Sequence, residues 1–197
     1  MLTVVTPAES QNLASLDAVK AALGITGTAE DASLPPLISA ASAAISTYCN
    51  RVFIEETVTE AFRTNRRDLV FLLERYPVTE VASVLENGTA VLPDDRELDG
   101  PSGCMNRLNG NQIATWAQGT VLITYSAGYA REKVPPDLVQ ATIMMVAQLR
   151  SQAGRDPMLR AEETTDVDRL EYFPATAAGL PAPVLALIDP YRKMAGA

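Results

Sequence analysis

The chain has 197 residues, 47% of them hydrophobic and 20% charged, with 24 Asp and Glu against 16 Lys and Arg for a net charge of −8. A chain of that length buries about 70% of its unfolded surface and holds a core without disulfides, and its acidic balance argues against a surface built to grip phosphates, which needs clustered Lys and Arg. There is no histidine, which excludes Ser-His-Asp and Cys-His nucleophilic sites and His-ligated metal centres within one chain.

The N-terminal third reads as helical. Ser15 is placed to cap a helix over 16–23, with Leu16, Val19 and Leu23 on one face and Gly24 as its stop. Residues 24–33, GITGTAEDAS, form a loop. A second helix is expected over 33–48, where Leu34, Leu37, Ile38, Ala41, Ile45 and Tyr48 recur at three- and four-residue steps. Its opposite face carries Ser39, Ser42, Ala43 and Ser46, small enough for close approach of another helix or subunit, or simply an exposed face.

From Arg51 the period changes toward two. Strands are expected at 58–62 and 69–73, joined by the charged turn 64–68. After Pro77, Val78, Val81, Val84 and Leu85 lead into Asn87-Gly88, a hairpin turn with a return strand at 89–92. Residues 93–103 read as a polar loop, 104–108 as a weak strand ending in Asn109-Gly110-Asn111, and 121–125 as a clear strand. Several short strands between turn signals predict an antiparallel sheet or small sandwich. Pro135-Pro136 then opens a long helix to about residue 151, with Leu138, Ala141, Met145 and Leu149 on one stripe and Val139, Ile143 and Val146 alongside. Residues 152–181 read as a mobile arm with an acidic patch, Glu162, Glu163, Asp166 and Asp168. An amphipathic segment, 183–192, closes the chain.

No apolar run approaches the ~20 residues that span a bilayer, and residues 1–17 lack the basic and apolar regions of a secretion signal. Cys49 and Cys104, without CxxC spacing, read as reduced cytosolic thiols. Asp95, Glu97, Asp99 and Gly100 echo a calcium loop, but the third position is Glu, the twelfth is Asn106 and flanking helices are lacking. No metal or cofactor site is expected. A carboxylate pair can run glycan hydrolysis without histidine, yet nothing singles out one pair among 24 acids. Trp116 and Tyr125 are candidates for stacking on a base or sugar, and read more simply as core. Met144 and Met145 read as packing residues.

Four places in this layout resemble the head–tail connector (adaptor) family of long-tailed phages and gene-transfer-agent particles. They are Tyr48-Cys49-Asn50-Arg51 ending the second helix, the stretch from Leu73 to Val84 with its Pro-Val-xx-Val-x-Ser-Val pattern, Val121 to Tyr129 followed by Val134-Pro135-Pro136-Asp137-Leu138, and Leu187-Ile188-Asp189-Pro190-Tyr191-Arg192. The acidic arm 155–175 and the loop 99–113 fit no pattern of that family. The resemblance implies a structural, non-enzymatic virion protein made in the bacterial cytoplasm and located at the neck. It implies a ring, typically of twelve copies, that sits beneath the portal, extends the DNA channel and carries the stopper or tail-completion protein. DNA would pass without specific binding and no membrane is involved; the acidic balance suits a wall that lets phosphate slide. An assembling ring needs dissimilar faces on each copy.

The expected architecture is therefore α+β: a helical bundle formed by N- and C-terminal helices with an inserted antiparallel β module. Its parts are residues 1–51 as the N-terminal helical part, 52–130 as the β module, 131–154 as the long helix and 155–197 as the arm and terminal helix. Portal contact is assigned to Val184, Leu187, Ile188 and Tyr191 as apolar anchors and Arg192 as a charged contact. The rival readings are a stopper or tail-completion protein of the same neck, a carboxylate-dependent glycan hydrolase and a single-strand binding module.

Overall fold

A computed structural model of the protein describes residues 1–65, 67–152, 161–164, 168–171 and 179–193. The fold is α+β, and the chain divides into a β unit, residues 1–10 and 52–133, and a helical unit, residues 11–51 and 134–197.

The β unit begins with β1 (Leu2–Thr6), a strand that the reading of residues 1–51 as helical did not anticipate. It pairs antiparallel with β2 (Glu56–Thr64), and only Leu2 packs toward the core. The sequence hides it because LTVVT is short and uncharged and its partner lies far along the chain. Next come β3 (Val70–Leu72), β4 (Val78–Glu86), β5 (Thr89–Ala90), β6 (Arg96–Asp99), β7 (Cys104–Asn109), β8 (Gln112–Ala114) and β9 (Gly119–Ala127). One sheet runs in the order β1-β2-β9-β4-β5; the other runs β3-β7-β6, with β8 paired to β7. All these pairings are antiparallel.

The Asn87-Gly88 turn joins β4 to β5 with φ of 52° and 83°, the paired positive angles of a type I′ hairpin. The charged turn 64–68 does not make a hairpin. The strands on either side of it enter different sheets, because Phe71 turns inward to stack on Trp116 at 4.8 Å and on Phe62 at 4.3 Å. Part of the presumed polar loop 93–103 is β6. Its Leu98 packs against the core, while its other three residues are charged and masked the strand pattern.

Alternation fixes the two faces of the larger sheet. Val58, Val84, Val121, Ile123, Tyr125 and Ala127 face a core shared with Phe71, Leu73, Met105 and Trp116. Across the other face, hydroxyls pair between β2 and β9, Thr57 with Ser126 and Thr59 with Thr124, each at 2.9 Å.

In the helical unit, α1 (Leu16–Leu23) starts where Ser15 Oγ accepts the Ala18 amide at 3.1 Å and stops at Gly24, whose φ is 66°. Helix α2 (Leu34–Cys49) buries Leu34, Ile38, Ala41, Ile45 and Cys49. Ser42, expected on the open face, is buried instead, because its Oγ accepts the Leu13 amide at 3.0 Å. Helix α3 (Pro136–Gln152) buries Leu138, Ala141, Thr142, Ile143, Met145 and Val146, and packs on α1 and α2. Its mid-helix Thr142 hides its hydroxyl by donating to the Leu138 carbonyl at 2.8 Å. Within the arm, β10 (Ala161–Thr164) and β11 (Asp168–Glu171) pair as an antiparallel hairpin. The rest of the acidic arm, Asp166 included, lies outside the described residues. Finally α4 (Ala182–Ile188) packs on α3. Helix α3 opens at the Pro135-Pro136 pair, as its sequence suggests.

Gly128 closes the β unit. Its φ is +116°, and a Cβ there would lie 2.7 Å from the Ile54 carbonyl carbon and 2.8 Å from Glu55 Cα, both backbone atoms. Gly128→Ala is expected to destabilise the protein by roughly 2–3 kcal/mol, read as a lowered urea midpoint.

Candidate docking surface

The C-terminal segment is fastened to the end of α2 and the start of α3. Asn50, with φ of 49°, ends α2 in the left-handed region. Beside it the Cys49 carbonyl accepts the Lys193 amide at 2.9 Å, and the buried Cys49 thiol donates to the Ile188 carbonyl at 3.6 Å. The Tyr48 hydroxyl donates to Asp189 Oδ1 at 2.7 Å, while the Arg192 guanidinium lies 5.0 Å from the Tyr48 ring centroid. The Tyr191 hydroxyl donates to Asp137 Oδ2 at 3.4 Å. The hydrogen bond to the Asp189 carboxylate holds the Tyr48 phenol above its usual range. Burial pushes the Cys49 thiol from its ordinary value of 9.0 up to about 11.

These contacts sort the five residues assigned to docking. Val184 and Ile188, one helical turn apart, are fully buried in their own unit and cannot serve as external anchors. Leu187 and Tyr191, on the next stripe, are half-buried, and Arg192 is exposed. Tyr48, Asp189 and Asp137, which position Tyr191 and Arg192, were not assigned from sequence. The signal available was the aromatic at the end of α2, already part of the Tyr48-Cys49-Asn50-Arg51 motif.

The β unit holds a second polar assembly. Glu56 and Glu60 sit on the core face of β2, 7% and 6% exposed. Glu60 Oε2 accepts the Tyr125 hydroxyl at 2.9 Å and the Glu74 amide at 3.0 Å, and the Arg75 amide donates to the Tyr125 oxygen at 3.2 Å. Glu56 Oε1 lies 3.4 Å from Arg75 Nε. Burial raises the Tyr125 phenol well above its usual range. Tyr125 is thus a core residue with a fixed hydroxyl, and Trp116 is fully buried, so neither offers a face for stacking on a base. The alternation Glu56-x-Val58-x-Glu60 in an otherwise apolar strand face is the sequence signal that marks these two acids.

A cavity of about 470 Å³ is lined by Glu86, Asp95, Arg107, Asn109, Trp116 and Ala117 among others. Its charges are engaged with one another. Arg107 Nη1 donates to the Asp95 and Leu108 carbonyls at 2.6 Å, and Glu86 Oε1 accepts the Ala117 amide at 2.6 Å. The acids of the calcium-like stretch are spread along the start and length of β6. Asn106 Nδ2 donates to Glu97 at 3.3 Å, and Ser102 Oγ donates to Asp99. Among the described residues no cluster of three or more potential ligands is suited to a metal ion, and no helix is long and apolar enough to cross a membrane.

The head completion protein family matches residues 12–194, and the chain belongs to that family. A search of curated proteins returns no match. Among solved structures, the chain is similar to one from the neck of a native gene transfer agent particle computed with C12 symmetry, with 23% identity and a TM-score of 0.63 over 100% of this chain and 98% of that one. A chain from the neck of an empty particle computed with C6 symmetry gives 24% identity and 0.61 over the same shares. One from the virion of a native gene transfer agent particle gives 23% and 0.61, again over 100% and 98%. These likenesses establish a shared fold.

Two outcomes are expected. Tyr125→Phe removes one of the two donors to a buried carboxylate and should cost about 1–2 kcal/mol, measured by urea denaturation. Folded Cys49 keeps its proton between 9.0 and about 11, whereas the unfolded chain sheds it. Stability should therefore fall as pH rises through that window. Urea midpoints at neutral pH and across the window check the sign.

Proposed function

We propose that this chain is a structural protein of the virion neck, a ring-forming head–tail adaptor. It docks on the portal, lengthens the DNA channel and offers a platform to the stopper or tail. The observation that carries this reading is membership of the head completion protein family over residues 12–194. Two further observations support it. Neck particles whose chains share this fold were computed with cyclic symmetry, and a net charge of −8 suits a channel wall past which phosphate slides. In this reading the chain acts by shape and contact. Its buried carboxylates, Glu56 and Glu60, are engaged by groups of their own unit.

Leu187, Tyr191 and Arg192 form the portal-contacting set. Val184 and Ile188 serve from inside, by holding α4 against α3. The buried stripe of α4 thus packs, while Leu187 and the two residues beyond the end of the helix dock.

The test is to mix the purified chain with portal rings and image the product by electron microscopy. A ring of this protein stacked on the portal is expected. A folded chain that ignores bare portal but binds a portal already carrying another neck component would favour a stopper or tail-completion role. As a finer check, Arg192→Glu should weaken portal binding about tenfold or more while lowering stability by no more than about 1 kcal/mol. Unchanged binding removes the terminal segment from the contact.

A further inference from the structure

The two sheets of the β unit have five strands with an open side, and they are guarded unequally; uncharged β8 pairs with β7 just past the end of β3 and continues the β3 edge. Strand β5 is two residues long, too short to template another strand, and β6 carries Arg96, Glu97 and Asp99. Short length and charge are the usual protections of an exposed edge. Strands β1, LTVVT, and β3, VFL, lack the charge. Both present apolar side chains to solvent: Val4 is 41% and Val5 56% exposed on β1, Val70 50% and Leu72 42% on β3. Each is the last strand of its sheet, β1 beyond β2 and β3 beyond β7. A bulge at Val5 leaves residues 2–4 as the regular part of β1, three residues to match the three of β3.

We propose that these two edges join one copy of this chain to the next, the outer edge of β1 on one copy pairing with the outer edge of β3 on its neighbour. An open strand edge is satisfied by another extended backbone, which gives the occupant its geometry. The cyclic symmetry of the necks whose chains share this fold points to a second copy as the occupant, and charge limits where copies can meet. Molecules that each carry −8 repel one another over most of their surfaces, and these edges are strands on which they can meet with no like charges opposed. The joint is heterologous. Every copy offers one edge of each kind, so a chain of copies keeps one unused edge at each end until it closes. The proposal rests on the ring reading given above and supplies the contact that the ring requires.

The test uses the full-length chain with Cys104→Ser, the buried Cys49 being left in place. Val4→Cys and Val70→Cys are made separately and together. Under mild oxidation, a mixture of the two single variants should yield covalent dimers where neither alone does, and the double variant should yield a ladder of multimers. Independently, Val70→Asp should reduce ring assembly tenfold or more with an unchanged urea midpoint, since Val70 is half exposed. Rings seen by electron microscopy without such cross-links, a single variant that cross-links to itself, or rings that survive Val70→Asp would overturn this joint and leave the ring reading standing. A folded chain that assembles neither alone nor on portal rings would overturn both.

Discussion

A single buried carboxylate organises the β unit. Glu60 faces a core of Val, Ile, Phe and Trp side chains, where an unpaired charge would cost several kcal/mol. It is tolerated because Tyr125 and the Glu74 amide both donate to it. Those bonds draw the segment after β3 onto the sheet, and Arg75 adds a second tether through Glu56 and the Tyr125 oxygen. The segment so fixed delivers Val78 opposite Ala127, which sets the register of β4 on β9. The pairing that builds the larger sheet thus depends on polar groups inside its core. This is a demanding arrangement, since losing any one partner strands the others.

The helical unit is held differently. Among the described residues, the buried polar side chains of its interior are Ser42 and Thr142, each bonded to a backbone group. Its polar contacts lie outside, where Tyr48, Asp189 and Arg192 bind the last segment to α2. The four stretches that carry the family resemblance meet in pairs. Tyr48-Cys49 touches Ile188 and Asp189 in the helical unit, and Arg75 to Val84 lies along Ile123 to Ala127 in the β unit. Short motifs that are weak singly are therefore two contacts, each seen from both sides.

Periodicity made α1, α2 and α3 legible, and capping residues placed the ends of α1 to the residue. The Asn87-Gly88 turn was equally plain, because its backbone angles favour so few residue types. Strands fared worse where their signal was not local. Nothing near β1 announces a partner more than fifty residues away, and charged β6 reads as a loop until it is seen bonded to β7. The residues proposed for docking show a sharper limit. A short helix with apolar residues on two adjacent stripes does not reveal which stripe faces inward. Val184 with Ile188 and Leu187 with Tyr191 have the same spacing, and only packing against α3 separates them. The polar core was missed for a related reason: an isolated Glu in a strand gives no hint that a tyrosine from a distant strand will meet it.

Where the chain passes into the β unit after α2 and where it leaves before α3, its two strands are tied together. The Tyr129 amide donates to the Phe53 carbonyl at 2.7 Å, the Glu55 amide donates to the Tyr129 carbonyl at 3.0 Å, and Ile54 bridges Tyr129 in parallel. The excursion from β2 to β9 is therefore closed at its base within the β unit, with β1 added to its sheet from outside the loop. For the bundle, this large excursion is equivalent to a tight turn, because the entropy of bringing its ends together is offset within the excursion itself. The cost of closing such a loop grows only slowly with its length, so the clasp at its base tolerates longer or shorter connections between the strands it encloses.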